Sequence, residues 1–189
     1  DSEGNIRFVS YQVAEIYEMK PDTLYTSTYK DQRWETTSFC PQLYTLGKNE
    51  FGQDFAFFEY VVDKDGVYWF LNAKGIARFD GKFLTLFNKS NTQEIGIIQA
   101  VRLDRNGIPV FLSLKGGIYS FVRYDGTHWN SINIKQPYPL DASHPRPVNF
   151  AATFCIDSSN NFWIPLLDVP GIVHIQDTVQ QLFDSTSNP

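Results

Sequence analysis

The sequence is poor in the groups that most often carry chemistry. It holds two cysteines, three histidines and one methionine in 189 residues. There is no Cys-x-x-Cys pair, and no two of His128, His144 and His174 stand at metal-ligand spacing, so neither a metal nor another cofactor is expected. Gly-x-Ser-x-Gly, a phosphate-cradling Gly-rich loop and His-Glu-x-x-His are all missing, which removes the commonest hydrolase, nucleotide and zinc-protease signatures. No Lys/Arg cluster interrupts a formal net charge of −5, which argues against nucleic acid or an anionic membrane as partner. No run approaches the ~18 apolar residues of a membrane-spanning helix. No segment keeps the apolar period of an amphipathic helix. What is plentiful is aromatic: 16% of the chain is Phe, Tyr or Trp, as suits many short strands.

The stretch from Val61 to Phe87 shows how those aromatics are used. Asp63-Lys64-Asp65-Gly66 is a tight turn, with Asp capping its own backbone and Gly accepting positive φ. Val67 to Leu71 reads as a strand, Asn72-Ala73-Lys74-Gly75 as a turn, and Ile76 to Phe79 as a second strand. Asp80-Gly81 is a strong hairpin signal before Phe83 to Phe87. With the apolar run ending at Val62, this makes four short antiparallel strands in one sheet. Asp63 to Gly66 also resembles the opening of a calcium loop, but Val67, Tyr68 and Trp69 follow where further oxygen ligands would be needed. The recurrence of the same turn favours a structural corner.

Three landmarks repeat along the chain in the same order. The first is Asp-x-x-Gly with Trp six residues after the Asp: Asp63, Gly66 and Trp69. It returns as Asp104, Gly107 and Val110, as Asp157, Asn160 and Trp163, and in part as Asp1, Gly4 and Arg7. The second is Gly-aliphatic: Gly75-Ile76, Gly117-Ile118 and Gly171-Ile172. The third is an aromatic-Asp-Gly hairpin with a bulky residue soon after: Phe79-Asp80-Gly81 with Phe83, and Tyr124-Asp125-Gly126 with Trp129. Tyr29-Lys30-Asp31 with Trp34 is a weaker copy. Repeating four-stranded units of this length signal propeller blades. The expected fold is therefore all-β, a β-propeller of about four units forming one domain: 1–54, 55–94, 95–147 and 148–189. Unit one should supply three strands and the others four. Trp69, Trp129 and Trp163 are expected to fill the space between blades.

In detail, Lys20-Pro21-Asp22 reads as a turn in unit one, and Val148 to Ile156 as the first strand of unit four. Pro137, Pro139, Pro145 and Pro147 make Lys135 to Pro147 a loop, since Pro cannot donate to a ladder. Cys40 and Cys155 read as small buried strand residues. They fall on an outermost and an innermost strand, too far apart to be bonded to each other.

The pattern Asp-x-x-Gly-x-x-Trp, Gly-aliphatic, Tyr-Asp-Gly-x-x-Trp resembles the two-component regulator propeller repeat. That family builds the extracytoplasmic sensor propellers of bacterial hybrid histidine kinases. The resemblance covers almost the whole chain and is clearest in units two and three. It implies a non-catalytic sensor segment, periplasmic or extracellular, that binds a carbohydrate or a protein. It also implies an incomplete arc of a larger propeller, whose open blade faces and strand edges would lead to self-association or to packing against flanking blades of the same parent chain. Propellers usually bind ligands on one face, where second strands turn into third strands and one blade passes to the next. Those loops carry Asn72, Lys74, Lys115, Asp168, His144 and Arg146, which are candidate ligand-binding residues by position. The alternative is an enzyme. Streptogramin lyases are propellers with similar repeats, and they need a His and a metal-binding acid on the channel face. Here only His144, with Asp141 nearby, is suitably placed.

Overall fold

The computed structural model of the chain describes residues 6–15, 18–30, 33–39, 57–72, 75–88, 90–93, 95–137, 147–177 and 179–184. The strands among them are β1 (Ile6–Glu15), β2 (Glu18–Lys30), β3 (Arg33–Phe39), β4 (Phe57–Val62), β5 (Tyr68–Asn72), β6 (Gly75–Phe79), β7 (Leu84–Phe87), β8 (Ile97–Leu103), β9 (Pro109–Lys115), β10 (Ile118–Tyr124), β11 (Trp129–Asn133), β12 (Cys155–Ile156), β13 (Phe162–Pro165), β14 (Ile172–Gln176) and β15 (Val179–Phe183). No helix occurs among the described residues. Each strand pairs antiparallel with its sequence neighbour, giving one three-stranded sheet (β1 to β3) and three four-stranded sheets, β4 to β7, β8 to β11 and β12 to β15. The chain is all-β and built of four-stranded propeller-type blades. Two compact units contain these sheets, Asp1–Phe87 with the first two and Asn88–Pro189 with the last two.

The Asp-x-x-Gly-x-x-Trp signature is a corner between the first and second strands of a blade. Asp63 Oδ1 accepts the backbone N–H of Asp65 and of Val67 at 2.9 and 3.0 Å, and its Oδ2 accepts the indole N–H of Trp69 at 2.8 Å. Gly66 turns the chain at φ 78°. One carboxylate thus satisfies two turn donors that no ladder could reach and fastens the Trp ring of the next strand. Asp157 does the same. Ser159 and Asn161 donate to Oδ1, both at 2.9 Å, and the Trp163 indole donates to Oδ2 at 3.0 Å. Asn160 takes the left-handed position at φ 65°.

The second unit shows how two blades stack. Strand alternation puts Val110, Leu112, Tyr119 and Phe121 on one face of the third sheet, where Phe150, Phe154, Phe162, Ile164 and Val173 meet them. Phe121 stacks on Phe162 with centroids 4.3 Å apart, and Tyr119 meets Phe150 edge-on at 5.0 Å. Burying one such side chain stabilises the fold by about 1.5–3 kcal/mol relative to exposure. Polar links fix the register. Arg102 Nη2 donates to Thr153 Oγ1 at 3.1 Å, and the Arg105 backbone N–H donates to Asn160 Oδ1 at 2.8 Å. The last bond joins the two corners, so both lie at one end of this unit. Phe70, Ala77 and Phe79 form a smaller core in the first unit, with Tyr60, Tyr68, Leu84 and Leu86 packed on it.

Several expectations need correction. Lys20, Pro21 and Asp22 do not turn the chain; β2 runs through them, and Pro21 pairs with Val13 beside a register shift. Such an irregularity tolerates a residue that cannot donate. Val148 to Ile156 is not one strand. Phe150 makes an isolated bridge to Leu166, the chain bends at Ala152, and only Cys155 and Ile156 pair regularly. Cys155 is exposed with a free thiol, since alternation points it away from the core. Cys40 lies outside the described residues. Trp69 is 4% exposed, as expected for a core residue, whereas Trp163 and Trp129 are only half-buried. In the aromatic-Asp-Gly hairpins, Leu84 pairs with Phe79 as Trp129 pairs with Tyr124. Leu84, not Phe83, is therefore the counterpart of Trp129, and Phe83 is 71% exposed.

Candidate binding face

With the corners at one end of a blade, the turn from second to third strand lies at the other. In the third sheet that turn is Lys115-Gly116-Gly117-Ile118, with Gly116 at φ 58° and Gly117 at φ 81°. Two successive left-handed residues match the twist of a two-residue hairpin, and glycine adopts them without strain. The segment entering the blade is tied to this turn. The Lys115 ammonium donates to the Gln93 carbonyl, and Gly96 N–H donates to Ser113 Oγ at 2.9 Å. A Cβ at Gly96 would fall 2.2 Å from the Leu114 carbonyl oxygen, so only glycine permits this approach.

The fourth sheet repeats the arrangement with different chemistry. Asp168 Oδ2 accepts the backbone N–H of Asn149 at 3.0 Å and its side-chain amide at 2.8 Å. Leu167 N–H donates to the Asn149 carbonyl at 2.8 Å. A cation in one blade and an anion in the next do the same work: each pins the segment that enters its own blade. Beside these clasps stand exposed aliphatic side chains, with Ile97, Ile118 and Leu167 at 59%, 53% and 67% exposure.

Of the six residues suggested by position, the structure places Lys115 and Asp168 on strand-to-strand turns at the same end of the second unit. Asn72 ends β5 in the first unit, paired with Gly75. Lys74, His144 and Arg146 lie outside the described residues, as does Asp141. The other two histidines sit elsewhere. His128 is exposed in the β10–β11 hairpin, where its backbone N–H caps Asp125 at 2.7 Å. His174 lies within β14, its ring 4.1 Å from that of Trp163.

A further recurring position is easily missed in the sequence. The residue paired with the Trp place on the third strand is basic in all three four-stranded sheets: Trp69 with Arg78, Val110 with Arg123, and Trp163 with His174. Arg78 stands over the Trp69 ring at 5.7 Å. Arg123 reaches Asp104 Oδ2 at 3.4 Å and lies over Phe162 at 5.5 Å. The signal was partly present, since Arg78 and His174 each follow the Gly of Gly-Ile by three residues. Arg123 follows at a longer interval because its strand is longer.

Three aspartates at the opposite end of their blades, Asp157, Asp125 and Asp80, are held as anions. The Trp163 indole N–H, ahead of the Asn161 and Ser159 donors, holds the Asp157 carboxyl at about 2. Backbone N–H groups of His128 and Thr127 hold Asp125 far below the ordinary carboxylate range, and those of Phe83 and Lys82 lower Asp80. Hydrogen bonding to the charged form produces all three shifts. Such groups cap turns and are poorly suited to give up protons near neutrality. Among the described residues, no group of three or more His, Cys, Asp or Glu side chains is arranged to hold a metal ion.

No protein-family model matches the chain, and no curated protein matches it. Solved structures do. A catalytically inactive variant of virginiamycin B lyase from Staphylococcus aureus, determined with quinupristin, has a TM-score of 0.52 at 14% identity over 97% of this chain and 61% of that one. The extracellular domain of a B. thetaiotaomicron protein named as a hybrid two-component system gives 0.52 at 14% identity, over 94% of this chain and 23% of that one. A streptogramin B lyase gives 0.50 at 15% identity, over all of this chain and 62% of that one. The chain therefore spans less than two thirds of each of these three structures. Likeness at such identity establishes the blade fold alone.

Proposed function

We propose that this chain is a non-catalytic recognition segment of an extracytoplasmic receptor of the two-component type. It binds a carbohydrate or protein ligand at the loop end of its blades. The observation that carries the reading is the pairing of pinned turns with exposed aliphatic side chains. Lys115 and Asp168 are engaged with the backbone of their own blades, so these turns present Ile118 and Leu167 on a fixed support. Binding on loops held by a rigid scaffold is the common use of such a face. A thermal-shift series against oligosaccharides, run beside a pull-down from the source organism's extracytoplasmic fraction, tests it. The expected result is a rise in Tm with one class of sugar, or one specific protein partner, that is reduced by Ile118→Asp or Leu167→Asp. A negative result in both assays would count against the reading.

A second reading is favoured by the likeness to two lyase structures. It would need the His144 region to supply acid–base chemistry and a metal. Metal analysis of the purified protein separates the two: stoichiometric divalent metal that is lost in His144→Ala would support the enzyme.

A further inference from the structure

The corner of the third sheet carries a dipeptide that the other corners lack. Asn106-Gly107 is the one Asn-Gly pair in the sequence. At the same two places the second sheet has Asp65-Gly66 and the fourth has Ser159-Asn160. The pair matters because glycine has no Cβ to keep its own nitrogen away from the side chain before it. An Asn side chain offers that nitrogen a neutral amide carbon, with ammonia as the leaving group. The carboxylate of Asp65 repels it instead. Asp80 and Asp125 also precede glycine, but their carboxylates already accept the N–H groups of their own hairpins.

The corner exposes one reacting partner and restrains the other. The Asn106 side chain is exposed, and its amide makes no hydrogen bond among the described residues. The backbone around it is tied down. Asn106 N–H donates to Asp104 Oδ1 and Gly107 N–H to the Asp104 carbonyl, both at 2.9 Å, while Arg105 N–H reaches Asn160 Oδ1 at 2.8 Å. The Gly107 nitrogen can lose its proton only when its bond to Asp104 opens. A second negative charge beside the Asp104 carboxylate is disfavoured as well.

We propose that Asn106 is a site of spontaneous deamidation gated by its own corner, reacting only when the turn bond from Gly107 to Asp104 opens. In the open corner the Gly107 N–H gives its proton to hydroxide. The nitrogen then attacks Asn106 Cγ, and the Cγ–Nδ2 bond breaks. Nδ2 takes a proton from water and leaves as ammonia, and a succinimide ring remains. Water opens that ring at either carbonyl, giving an aspartyl or an isoaspartyl link. The net change consumes one water and releases one ammonia. The aspartyl form can rebuild the turn, as Asp65-Gly66 does in the second sheet. The isoaspartyl form adds a methylene to the backbone between the Arg105 and Gly107 amides, so it cannot keep both of their bonds. The change is irreversible and loosens the tie between the two corners. The proposal does not depend on what the loop end binds.

Incubation of the intact chain at mildly alkaline pH tests it, with peptide mass spectrometry that separates aspartyl from isoaspartyl products. Asn106 should react before any other Asn, yet at least tenfold more slowly than in the same chain unfolded in urea, since local opening must come first. Asp104→Ala removes the side-chain cap of the turn and should raise the folded rate several-fold. Amide exchange at Gly107 in the wild type supplies a second measure that needs no variant. Its protection should match the ratio of unfolded to folded deamidation rates. Chain enriched in the isoaspartyl form should lose amide protection at Arg105. A folded chain that shows no reaction at Asn106 over weeks overturns the proposal, as do equal rates in the folded and unfolded chains. So does a Gly107 amide that exchanges freely while Asn106 stays slow, because something other than corner opening would then set the rate.

Discussion

The third and fourth sheets solve one corner in two ways. In the fourth, the second oxygen of Asp157 accepts the Trp163 indole N–H at 3.0 Å. In the third, the corner backbone is the same: Asn106 and Ile108 donate to Asp104 Oδ1, both at 2.9 Å, and Gly107 turns at φ 71°. Val110, however, replaces the Trp and has no donor to offer. Among the described residues nothing hydrogen-bonds Asp104 Oδ2, although the side chain is fully buried. Its charge is met instead by the Arg123 guanidinium, arriving from the third strand at 3.4 Å. The repeat therefore conserves a job, satisfying the second carboxylate oxygen, rather than a residue. When a neutral donor is lost, a cation from the neighbouring strand takes over.

The difference can be broken most strongly at Asp104. Removing one partner of a buried ion pair typically costs about 3–5 kcal/mol. Arg123 retains 35% side-chain exposure and can rehydrate in part, so the lower end applies. Asp104→Ala should cost about 3 kcal/mol by urea denaturation. Asp157→Ala, which loses a cap and one indole hydrogen bond at a half-exposed corner, should cost less than Asp104→Ala. Equal losses would mean that the Asp104–Arg123 pair adds nothing beyond the shared turn.

Exchanging the two solutions gives the next effect. Trp163→Val leaves Asp157 Oδ2 without its indole donor and removes the stack on His174, a loss of about 2 kcal/mol. The reciprocal Val110→Trp forces an indole into a fully buried site beside Arg123, and overpacking there costs about 1–3 kcal/mol. If Val110→Trp stabilised the protein, the third sheet would be shown to have room for the Trp form of the corner, and the compensation by Arg123 would be incidental.

Much of this was legible beforehand. The strand boundaries around Asp63, Asp104 and Asp157 follow from turn residues whose chemistry is local: an Asp that caps its own backbone leaves a mark in four residues. Trp69 as a core residue was legible for the same reason. Pro21 was misread because a register shift is a property of two strands, and the sequence of one does not announce it. Cys155 was misread because its burial was taken from residue type; it follows the buried Phe154, and alternation therefore points it away from the core. The basic position at Arg78, Arg123 and His174 shows itself only through cross-strand pairing, since its distance from the Gly-aliphatic landmark varies with strand length. For the candidate ligand-binding residues the sequence offered position alone. The structure gives Lys115 and Asp168 a role as clasps, which no short motif encodes.

Acid separates the corners more gently. The folded Asp157 carboxyl sits at about 2, below the ~3.9 of an unfolded Asp. A depressed carboxyl contributes stability that is fully present above the unfolded value and lost as pH falls through the folded one. The contribution of Asp157 should therefore hold above about pH 4 and fade toward pH 2. The Tm gap between wild type and Asp157→Asn, followed by circular dichroism, should be constant from pH 7 to 5 and shrink as pH falls from 4 to 2. A gap that does not change with pH would show that the charge of Asp157 does not matter to its corner.

The smallest effect concerns Asn160, which stands where the other corners have glycine. On backbone grounds alone, Asn160→Gly should help, because φ 65° suits glycine better than any side chain. The side chain has a second task that the sequence did not reveal: its Oδ1 accepts the Arg105 N–H at 2.8 Å and joins the two corners of the second unit. A net hydrogen bond of this kind contributes about 0.5–1.5 kcal/mol, close to the conformational gain and opposite in sign. Asn160→Gly should thus leave stability within about 0.5 kcal/mol of wild type. Asn160→Ala loses the bond and keeps the strain, and should cost about 1–2 kcal/mol. Amide hydrogen exchange gives the independent readout, because Arg105 N–H should lose protection equally in both variants. If Arg105 stays protected in Asn160→Gly, the corner-to-corner bond is not what holds that amide, and Asn160 is only a tolerated substitute for glycine.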